Sequence, residues 1–252
     1  MAAALIGCAV HALGEVDSTQ SHLAALAAQG APEGTVVTAR HQTRGRGRRG
    51  RAWWDRSGES VLLSVLLRPS LPAGRAVVIS LVAGVAVAEA LGVAAGVAAR
   101  LRWPNDVLVA DRKVAGILAE AQSETDGHLG HVLLGIGINV NQERFPDEVG
   151  DRATSLRLAT GRAHDPGRLL DAVLDALDRR YREFLTHGFG PAREAWRRLS
   201  ASLGQRVTAA DGRQGTAVEL DEDGALVLRG DDGALHRVLA GELGEGHHAA
   251  RH

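Results

Sequence analysis

The sequence predicts an α+β protein with one large domain and a small C-terminal β-barrel. Segments of strand composition alternate with segments rich in helix formers between residues 1 and 200. Residues 204–243 differ, because they contain only short strands separated by turns of Asp and Gly. The chain has 252 residues and is 45% hydrophobic, so it is long enough to bury a sizeable core.

Each element follows from its composition and its flanking residues. Strands are expected where β-branched and aliphatic residues cluster between turn signals, at residues 1–10, 35–40, 60–69, 99–103, 106–110, 113–122 and 131–140. Helices are expected after capping residues or at helical apolar spacing, at residues 17–30, 75–91, 165–188 and 191–200. The first strand is expected to be buried, and residues 141–165 predict a polar loop. The tail, residues 244–252, is predicted to be disordered.

Charge and cysteine content limit the function classes. The chain has 29 basic and 30 acidic residues and a net charge of -1, whereas proteins that coat nucleic acid usually carry a basic excess. The single cysteine, Cys8, excludes an internal disulfide and is typical of a reducing compartment. The longest uncharged apolar run, residues 76–88, is shorter than the ~20 residues that span a bilayer and predicts a buried helix. We therefore expect a cytoplasmic protein that does not bind a membrane.

A run of arginines and glycines, TRGRGRRGR, occupies residues 43–51. Glycines allow positive φ and close approach to the backbone, so the loop can form an anion-binding nest of N–H groups. Its arginines add bidentate donors for a carboxylate or a phosphate. A solvated basic loop and a nucleic-acid-binding loop are the alternatives. Trp53 and Trp54 follow the run instead of interleaving it, and no second basic stripe occurs, which disfavours nucleic acid.

Three further segments place polar groups or glycines in unusual positions. RLRWPNDVLVADRKVAGILAE, residues 100–120, presents an amide and a carboxylate beside a proline turn, followed by Lys113 at the edge of an apolar strand. Each of these residues could also be an ordinary turn or strand-end residue. In GIGINVNQ, Gly135 and Gly137 weaken a strand, which indicates either a close approach to the backbone or a tight strand crossing. DSTQ, residues 17–20, is first of all a helix N-cap.

Taken together and in this order, these segments resemble the biotin protein ligases. STQ, HQTRGRGRRGRAW, RWPNDVLVADRKVAGILAE and GIGINVNQ match signatures of that family, and the match runs over nearly the whole chain. The resemblance implies a fold like the catalytic domains of class II aminoacyl-tRNA synthetases and lipoate ligases, a mixed sheet flanked by helices. It also implies an SH3-like C-terminal barrel. The implied biotin- and ATP-binding catalytic domain spans residues 1–200 and the SH3-like domain residues 204–243.

The resemblance implies the reaction of a biotin–[biotin carboxyl-carrier protein] ligase, in two steps. Biotin's carboxylate attacks the α-phosphate of ATP to give biotinyl-5′-AMP, and a lysine of a biotin carboxyl carrier protein then accepts the biotin. Mg²⁺ is implied as a companion of the triphosphate, with no metal site in the protein. Because two anions must be brought together, their repulsion has to be neutralised. Lys113 and Arg48 are the implied catalytic residues, with Lys113 as a charge clamp and not as a covalent nucleophile.

Site residues carry over where this sequence matches the family motifs. The implied biotin-binding residues are Ser18, Thr19, Gln20, Gln42, Gly45, Arg46, Gly47, Arg48, Lys113, Gly116 and Gly137. The implied ATP- and adenylate-binding residues are Arg46, Arg48, Trp53, Asn105, Asp106, Lys113 and Asn139. Trp53 is implied to pack on the adenine, and Gly116 and Gly137 to line the biotin slot. Arg102 stands where many members have Lys, and no contact is assigned to it.

Two other functions are open alternatives. Lipoate and octanoyl ligases share the implied fold but lack the RGRGRRGR loop in this form. An arginine-rich RNA-binding module would show salt-sensitive RNA affinity and no ATP chemistry. Ser18 lies only seventeen residues after Met1, so we expect a monofunctional ligase that lacks the N-terminal DNA-binding domain. We further expect a monomer or weak homodimer, no specific nucleic acid, and the carrier protein of acyl-CoA carboxylases as partner.

Overall fold

The computed structural model describes residues 4–123, 128–239 and 244–245. Within these residues the helices are α1 (Thr19–Ala28), α2 (Val77–Ala95), α3 (Leu156–Thr160), α4 (Pro166–His187) and α5 (Gly190–Leu199). The strands are β1 (Ala9–Val16), β2 (Thr35–Gln42), β3 (Ser60–Leu67), β4 (Ala99–Arg102), β5 (Asp106–Val109), β6 (Arg112–Ser123), β7 (Leu129–Asn139), β8 (Arg206–Thr208), β9 (Gln214–Leu220), β10 (Leu226–Arg229), β11 (Leu235–Val238) and β12 (Gly244–Glu245). Short 3₁₀ turns occupy Arg48–Gly50, Ala73–Arg75 and Gly150–Arg152.

Seven strands form a mixed sheet in the order β1-β2-β3-β7-β6-β5-β4. β1 runs parallel to β2, and every other neighbouring pair in this sheet is antiparallel. The parallel pair is joined through α1, whereas β4, β5 and β6 follow one another through tight turns, as antiparallel neighbours can. The α+β fold class and the predicted mixed sheet with flanking helices are confirmed.

Helices cover both faces of this sheet because its strands alternate their side chains between two cores. On β2, Val36 belongs to the main core under α2 and α4, whereas Val37 joins a smaller cluster with Leu23 of α1. β3 is buried along its whole length, as expected for a central strand with both faces covered. The sheet is therefore a rigid layer on which loops at one edge can be positioned.

The first strand is an edge strand and not the buried strand that the sequence predicted. β1 pairs with β2 at the edge of the sheet, and Val10 is 50% exposed. Leu5 and Ile6 precede the strand, and Ile6 enters the core. The carboxylate of Asp178 on α4 accepts hydrogen bonds of 2.8 Å from the backbone N–H of both residues, which fixes this segment.

The apolar helix α2 is the centre of the main core. Fourteen of its nineteen residues are buried, and it packs between the sheet and the pair α4 and α5. The stretch Ala73–Ala95 is long and apolar enough to cross a membrane, the one such stretch among the described residues, but its most apolar window is 72% buried. The helix is thus longer than the run at residues 76–88 indicated, and its burial, not its length, confirms the predicted buried helix.

The predicted polar loop at residues 141–165 contains structure. It holds the 3₁₀ turn Gly150–Arg152 and the helix α3. Ser155 caps α3, because its Oγ accepts a hydrogen bond of 3.1 Å from the N–H of Leu158 and donates one of 2.6 Å to the carbonyl of Gln142. A five-residue helix is too short to produce a visible apolar period, which is why the sequence did not predict it.

The second sheet is antiparallel, in the order β11-β10-β9-β8-β12, and forms the predicted SH3-like domain. Its turns use glycines at positive φ, namely Gly212, Gly224 and Gly233. Gly244 and Glu245 pair with β8, so the predicted disorder of residues 244–252 is wrong for these two residues. Residues 246–252 lie outside the described residues, and the domain boundaries at residues 200 and 204 stay predictions.

A turn of the second sheet packs directly on the first domain. Trp103 is buried, and its Nε1 donates a hydrogen bond of 3.0 Å to the carbonyl of Gly224, while its backbone N–H donates one of 2.9 Å to Ser202 Oγ. A Cβ on Gly224 would lie 2.9 Å from Leu81 Cδ1 and 3.1 Å from Val77 Cγ1 on α2. The turn thus needs glycine for two reasons, its φ of +80° and its close packing.

We expect Gly224→Ala to lower the free energy of unfolding by about 2–4 kcal/mol, from positive-φ strain together with overpacking against α2. The matched control is Gly233→Ala, because Gly233 has a φ of +83° but nothing within 4 Å of an added Cβ. That variant carries the strain alone, about 1–2 kcal/mol. Urea unfolding of both variants measures the difference, and equal losses would contradict the packing of this turn on α2.

Candidate active site

A cavity of about 740 Å³ opens on the large sheet, within the size range of small-molecule sites. Its walls come from the start of α1, the loop after β2, the turn between β4 and β5, and strands β6 and β7, with a cover from residues 145–153. Fourteen of the fifteen predicted site residues line it, namely Ser18, Thr19, Gln20, Gln42, Arg46, Gly47, Arg48, Trp53, Asn105, Asp106, Lys113, Gly116, Gly137 and Asn139. Arg102 also lines the cavity. Gly45 does not line it; its carbonyl instead accepts a hydrogen bond of 2.9 Å from the N–H of Trp53.

The start of α1 forms a buried polar end of the cavity. Ser18 caps the helix, accepting a hydrogen bond of 3.3 Å from the N–H of Gln20. Thr19 donates to Gln42 Oε1 through its N–H at 2.8 Å and its Oγ1 at 3.0 Å. Thr19 Oγ1 also contacts Ser64 Oγ at 2.8 Å. DSTQ is therefore both the expected helix cap and a wall of the site, with polar groups held in fixed positions by one another.

The glycine at 135 is explained by a side chain of the protein itself. A Cβ at this position would lie 2.3 Å from Gln20 Oε1. Gln20 reaches across β6 and β7 and donates hydrogen bonds to the carbonyls of Leu133 at 3.1 Å and Leu118 at 3.4 Å. Of the two readings of Gly135, close approach to the backbone is correct, and Gln20 is the group that approaches.

Trp53 lies on two glycines that face each other across β6 and β7. Gly116 pairs with Gly137, and added Cβ atoms would lie 2.9 Å from Trp53 Cζ3 and 2.5 Å from Trp53 Cε2, respectively. The two glycines form a bare floor because any side chain there would displace the indole. Trp53 Nε1 is buried without a hydrogen-bond partner, which leaves a donor inside the cavity unsatisfied.

The arginine loop closes as a tight hairpin over the cavity. The N–H of Gly47 donates a hydrogen bond of 2.7 Å to the carbonyl of Arg51, and Arg46 bridges to Ala52. A Cβ on Gly45 would lie 2.7 Å from the carbonyl oxygen of Trp53. The two strands of the hairpin can therefore approach this closely only because residue 45 is glycine. At the base of the loop, the buried carboxylate of Asp55 lies 2.9 Å from His41 Nδ1 and ties the returning chain to β2.

The cations of the site are paired with acceptors inside the protein. Lys113 Nζ lies 2.6 Å from Asp106 Oδ1 and 5.8 Å from the centroid of the Trp53 ring. Arg48 Nη1 donates a hydrogen bond of 3.1 Å to Asn105 Oδ1, and Arg46 Nη2 lies 3.0 Å from Glu120 Oε2. The predicted site cations thus converge on one region, each oriented by a neutral or acidic partner.

Arg48 lies in an environment that favours an added anion. Burial lowers the pKa of its guanidinium below the usual range, and repulsion from Arg49 and Arg51 lowers it further, while Asp106 opposes the shift. An arginine stays charged despite such a shift, so the cost of burying the charge remains as unfavourable electrostatic energy. A carboxylate or phosphate placed beside Arg48 would relieve that cost.

The cover of the cavity was missed by the sequence analysis. Residues 145–153 follow β7, and the ring of Phe145 lies 5.7 Å from that of Trp54, tilted by 60°. Asn139 Nδ2 donates a hydrogen bond of 3.0 Å to the carbonyl of Thr154, whose N–H donates one of 2.9 Å to the carbonyl of Lys113. The cover is thus attached to predicted site residues, although its own sequence has no recognisable motif.

Metal-ligand clusters are absent from the described part of the chain. Within residues 4–123, 128–239 and 244–245, three or more His, Cys, Asp or Glu side chains do not gather at a metal-binding distance. The cavity lining includes the carboxylates of Asp106 and Glu148, and Asp106 is already paired with Lys113.

The contact of Trp53 with Gly137 can be tested by stability. Gly137→Ala should cost about 1–3 kcal/mol of unfolding free energy because its Cβ overlaps the indole. In a Trp53→Ala background the same change should be neutral or stabilising by about 0.5 kcal/mol, since alanine restricts the unfolded chain more than glycine does. Denaturant unfolding of the four proteins gives the coupling. An equal cost in both backgrounds would show that Trp53 does not lie on Gly137.

Comparison with known proteins identifies the family. Residues 13–139 match the model described as "Biotin/lipoate A/B protein ligase family", and residues 202–243 match "Biotin protein ligase C terminal domain". The "Bifunctional ligase/repressor BirA" of Bacillus spizizenii is 40% identical over 233 residues, covering 90% of this chain and 71% of that protein. The "Biotin--[acetyl-CoA-carboxylase] ligase" of Paracoccus denitrificans is 40% identical over 232 residues, covering 88% and 94%. The "Biotin protein ligase from Aquifex aeolicus in complex with biotin and ATP" superposes with a TM-score of 0.81 at 32% identity, covering 94% and 98%. The chain therefore belongs to the biotin/lipoate A/B protein ligase family, and within it to the biotin protein ligases.

Proposed function

We propose that the protein activates biotin with ATP to give biotinyl-5′-AMP and then transfers the biotin to a lysine of a carboxylase carrier protein. One observation carries the proposal: buried polar side chains and a cluster of cations line a single cavity. A neutral ring with a carboxylate tail needs both. The similarity to a ligase that was solved with biotin and ATP supports the same pair of substrates here.

In the first step, a carboxylate oxygen of biotin attacks the α-phosphorus of ATP, and the bond to the bridging oxygen breaks. Pyrophosphate leaves with the Mg²⁺ that accompanies the triphosphate, so the ion enters as part of the substrate. Arg48 and Lys113 neutralise the repulsion between the carboxylate and the phosphates, and electrostatic stabilisation of this kind is often the largest catalytic contribution. Arg46 adds a third cation at the cavity wall.

The biotin ring and the nucleotide are assigned to different groups of side chains in the cavity. The biotin ring is assigned to the polar end formed by Ser18, Thr19 and Gln42, whose hydrogen bonds to one another pre-orient their side chains. The nucleotide is assigned to the end near Asn105, Asn139 and Trp53. Trp53 is expected to pack on the adenine, but its indole here covers Gly116 and Gly137, the two glycines implied to line the biotin slot. The assignment therefore requires the indole to leave these glycines when biotin binds. The roles of individual residues stay predictions.

In the second step, the amine of the carrier lysine attacks the acyl carbon and AMP leaves. An acyl-adenylate is hydrolysed by water, so the arginine loop and the cover at residues 145–153 serve to exclude water. The relative named for acetyl-CoA carboxylase supports a carrier protein of that class as partner. A cytoplasmic location, no membrane binding, and a monomeric or weakly dimeric state remain predictions.

Lipoate or octanoyl ligation is the closest rival, since the matched family model includes lipoate ligases. The match of residues 202–243 to the C-terminal domain of biotin protein ligases favours biotin. Absence of regulatory DNA binding also stays a prediction, because some of the similar proteins are named ligase/repressor. Specific operator binding in a gel-shift assay would contradict it.

ATP–pyrophosphate exchange tests the proposed first step. We expect exchange that depends on biotin and is not supported by lipoate, because adenylation requires the acid as nucleophile. Each acid is supplied alone, and a reaction without acid gives the background. Exchange that is unaffected by biotin would exclude the proposed function, and exchange with lipoate alone would assign the rival.

Variants of the cation cluster test the proposed roles. Lys113→Ala should lower the rate of adenylate formation by roughly 10²-fold, about 3 kcal/mol, through loss of one charge contact to the transition state. Lys113→Arg keeps the charge and should lose less. Arg48→Gly should release the adenylate early, measured as biotinylation of a bystander protein such as albumin. Wild-type adenylation rates in Lys113→Ala would refute the clamp role.

A further inference from the structure

Lys113 is the only lysine of the 252-residue chain; the other positions among its 29 lysine and arginine residues are all arginine. Its single lysine therefore lies in the wall of the candidate active site. The chain offers a biotinyl-adenylate one side-chain amine, and that amine is the one closest to the proposed chemistry. The following inference rests on the proposed function.

A lysine beside an activated acyl group can itself be acylated. Neutral amines attack acyl-adenylates, which is the reaction that the carrier lysine performs. An ammonium group has no lone pair and cannot attack. A lysine that contacts the acyl phosphate must therefore be held as an ammonium donor throughout the life of the intermediate, or it will compete with the carrier.

Asp106 is placed to hold Lys113 in that form. The two residues lie on the adjacent strands β5 and β6, and their charged atoms are 2.6 Å apart. The side chain of Lys113 lies close over Gly116, where an added Cβ would be 3.0 Å from its Cε and 3.1 Å from its Nζ. The backbone carbonyl of Lys113 is fixed by the N–H of Thr154. Nζ is thus held between a carboxylate, a glycine floor and the face of the Trp53 ring.

Asp106 is the carboxylate best placed to stabilise the ammonium form of Lys113, as the other charged groups of the cavity lining show. Arg48 interacts electrostatically with Asp106, and the other basic side chains that line the same cavity are Arg46, Arg51, Arg102 and Arg152. All of these are cations, which repel an ammonium group and do not stabilise it. The cavity lining contains one further carboxylate among the described residues, Glu148, on the cover and not on the β5–β6 hairpin.

We propose that Asp106 protects the enzyme from its own reaction intermediate, by pairing with Lys113 and so withholding it from acylation by biotinyl-5′-AMP. Without this partner, the neutral amine of Lys113 attacks the acyl carbon, the bond from that carbon to the phosphate oxygen breaks, and AMP leaves. The amine loses one proton to solvent and an amide forms between biotin and Lys113. The enzyme then carries a covalent biotin in its own active site. Asp106 is a positioning residue that acts through Lys113.

The test variant is Asp106→Asn, which keeps the shape and one acceptor but removes the charge. Each protein is incubated with biotin and MgATP without carrier, and in a parallel reaction with synthetic biotinyl-5′-AMP. Intact-mass spectrometry counts biotinyl groups, and peptide mapping separates Lys113 from the N-terminal amine. We expect Asp106→Asn to label itself at Lys113 about tenfold faster than the wild type, or more. Circular dichroism checks that the variant is folded.

Two controls identify the cause. Asp106→Asn combined with Lys113→Arg has no lysine and should show no side-chain adduct. Glu148→Gln removes the other carboxylate of the cavity lining and should stay as unlabelled as the wild type.

Failure of this proposal can be told from failure of the proposed function. If Asp106→Asn retains biotinyl-5′-AMP but gains no adduct at Lys113, or if the wild type labels Lys113 equally fast, the protective role is wrong. If the wild type neither forms the adenylate nor binds the synthetic one, the proposed function itself fails. The reaction with synthetic adenylate keeps the test decisive even where Asp106→Asn has lost the first step.

Discussion

The site depends on one pair of facing glycines at the centre of the large sheet. Gly116 and Gly137 are direct partners across β6 and β7, and together they leave a patch of sheet without side chains. Glycine in a strand weakens it, because nothing packs there and the unfolded chain is freer. The indole of Trp53 covers the patch and packs against the backbone of both glycines. A floor of this kind allows a flat ring to lie against the backbone, which larger residues would prevent.

Other parts of the site are arranged around that floor by strand geometry. Asn139 lies two residues after Gly137 and so points to the same face, from which its side chain holds the cover at Thr154. Asp106 pairs with Gly116 on the opposite side, and a shift in register between β5 and β6 brings Lys113 near it. The β5–β6 hairpin therefore places the carboxylate of Asp106 and the ammonium group of Lys113 at one edge of the glycine floor, where their charges offset each other. A site that must receive two anions without accumulating excess positive charge can use such internal ion pairs.

The sequence predicted the parts of the site that are local, and missed those that tertiary packing creates. RGRGRRGR, WPND and DRK are contiguous motifs, and the site residues predicted from them line the cavity, with the exception of Gly45. Gly135 was ambiguous because its explanation, the side chain of Gln20, lies 115 positions away in the chain. The cover at residues 145–153 carries no motif, and its only signal was a position directly after GIGINVNQ. β1 was wrongly predicted as buried because strand composition does not tell whether a second neighbour exists on its outer side. β12 is held by two residues of pairing with β8, too few to leave a pattern.

The second sheet reaches the site through Trp103, which stands next to the turn that carries Asn105 and Asp106. Its indole donates to the carbonyl of Gly224 and its backbone to Ser202, both outside the large sheet. Asn105 in turn donates through Nδ2 to the carbonyl of Ile117 on β6 at 2.9 Å and accepts from Arg48. A continuous set of hydrogen bonds thus connects the turn at residues 221–224, the WPND segment and the arginine loop. Because Asn105 accepts from Arg48 with the same amide that is fixed on β6, the position of the loop arginine depends on how firmly WPND is held. The residues that line the cavity all lie between Ser18 and Ala153, so the small domain supports its wall indirectly, through the hydrogen bonds that hold Trp103.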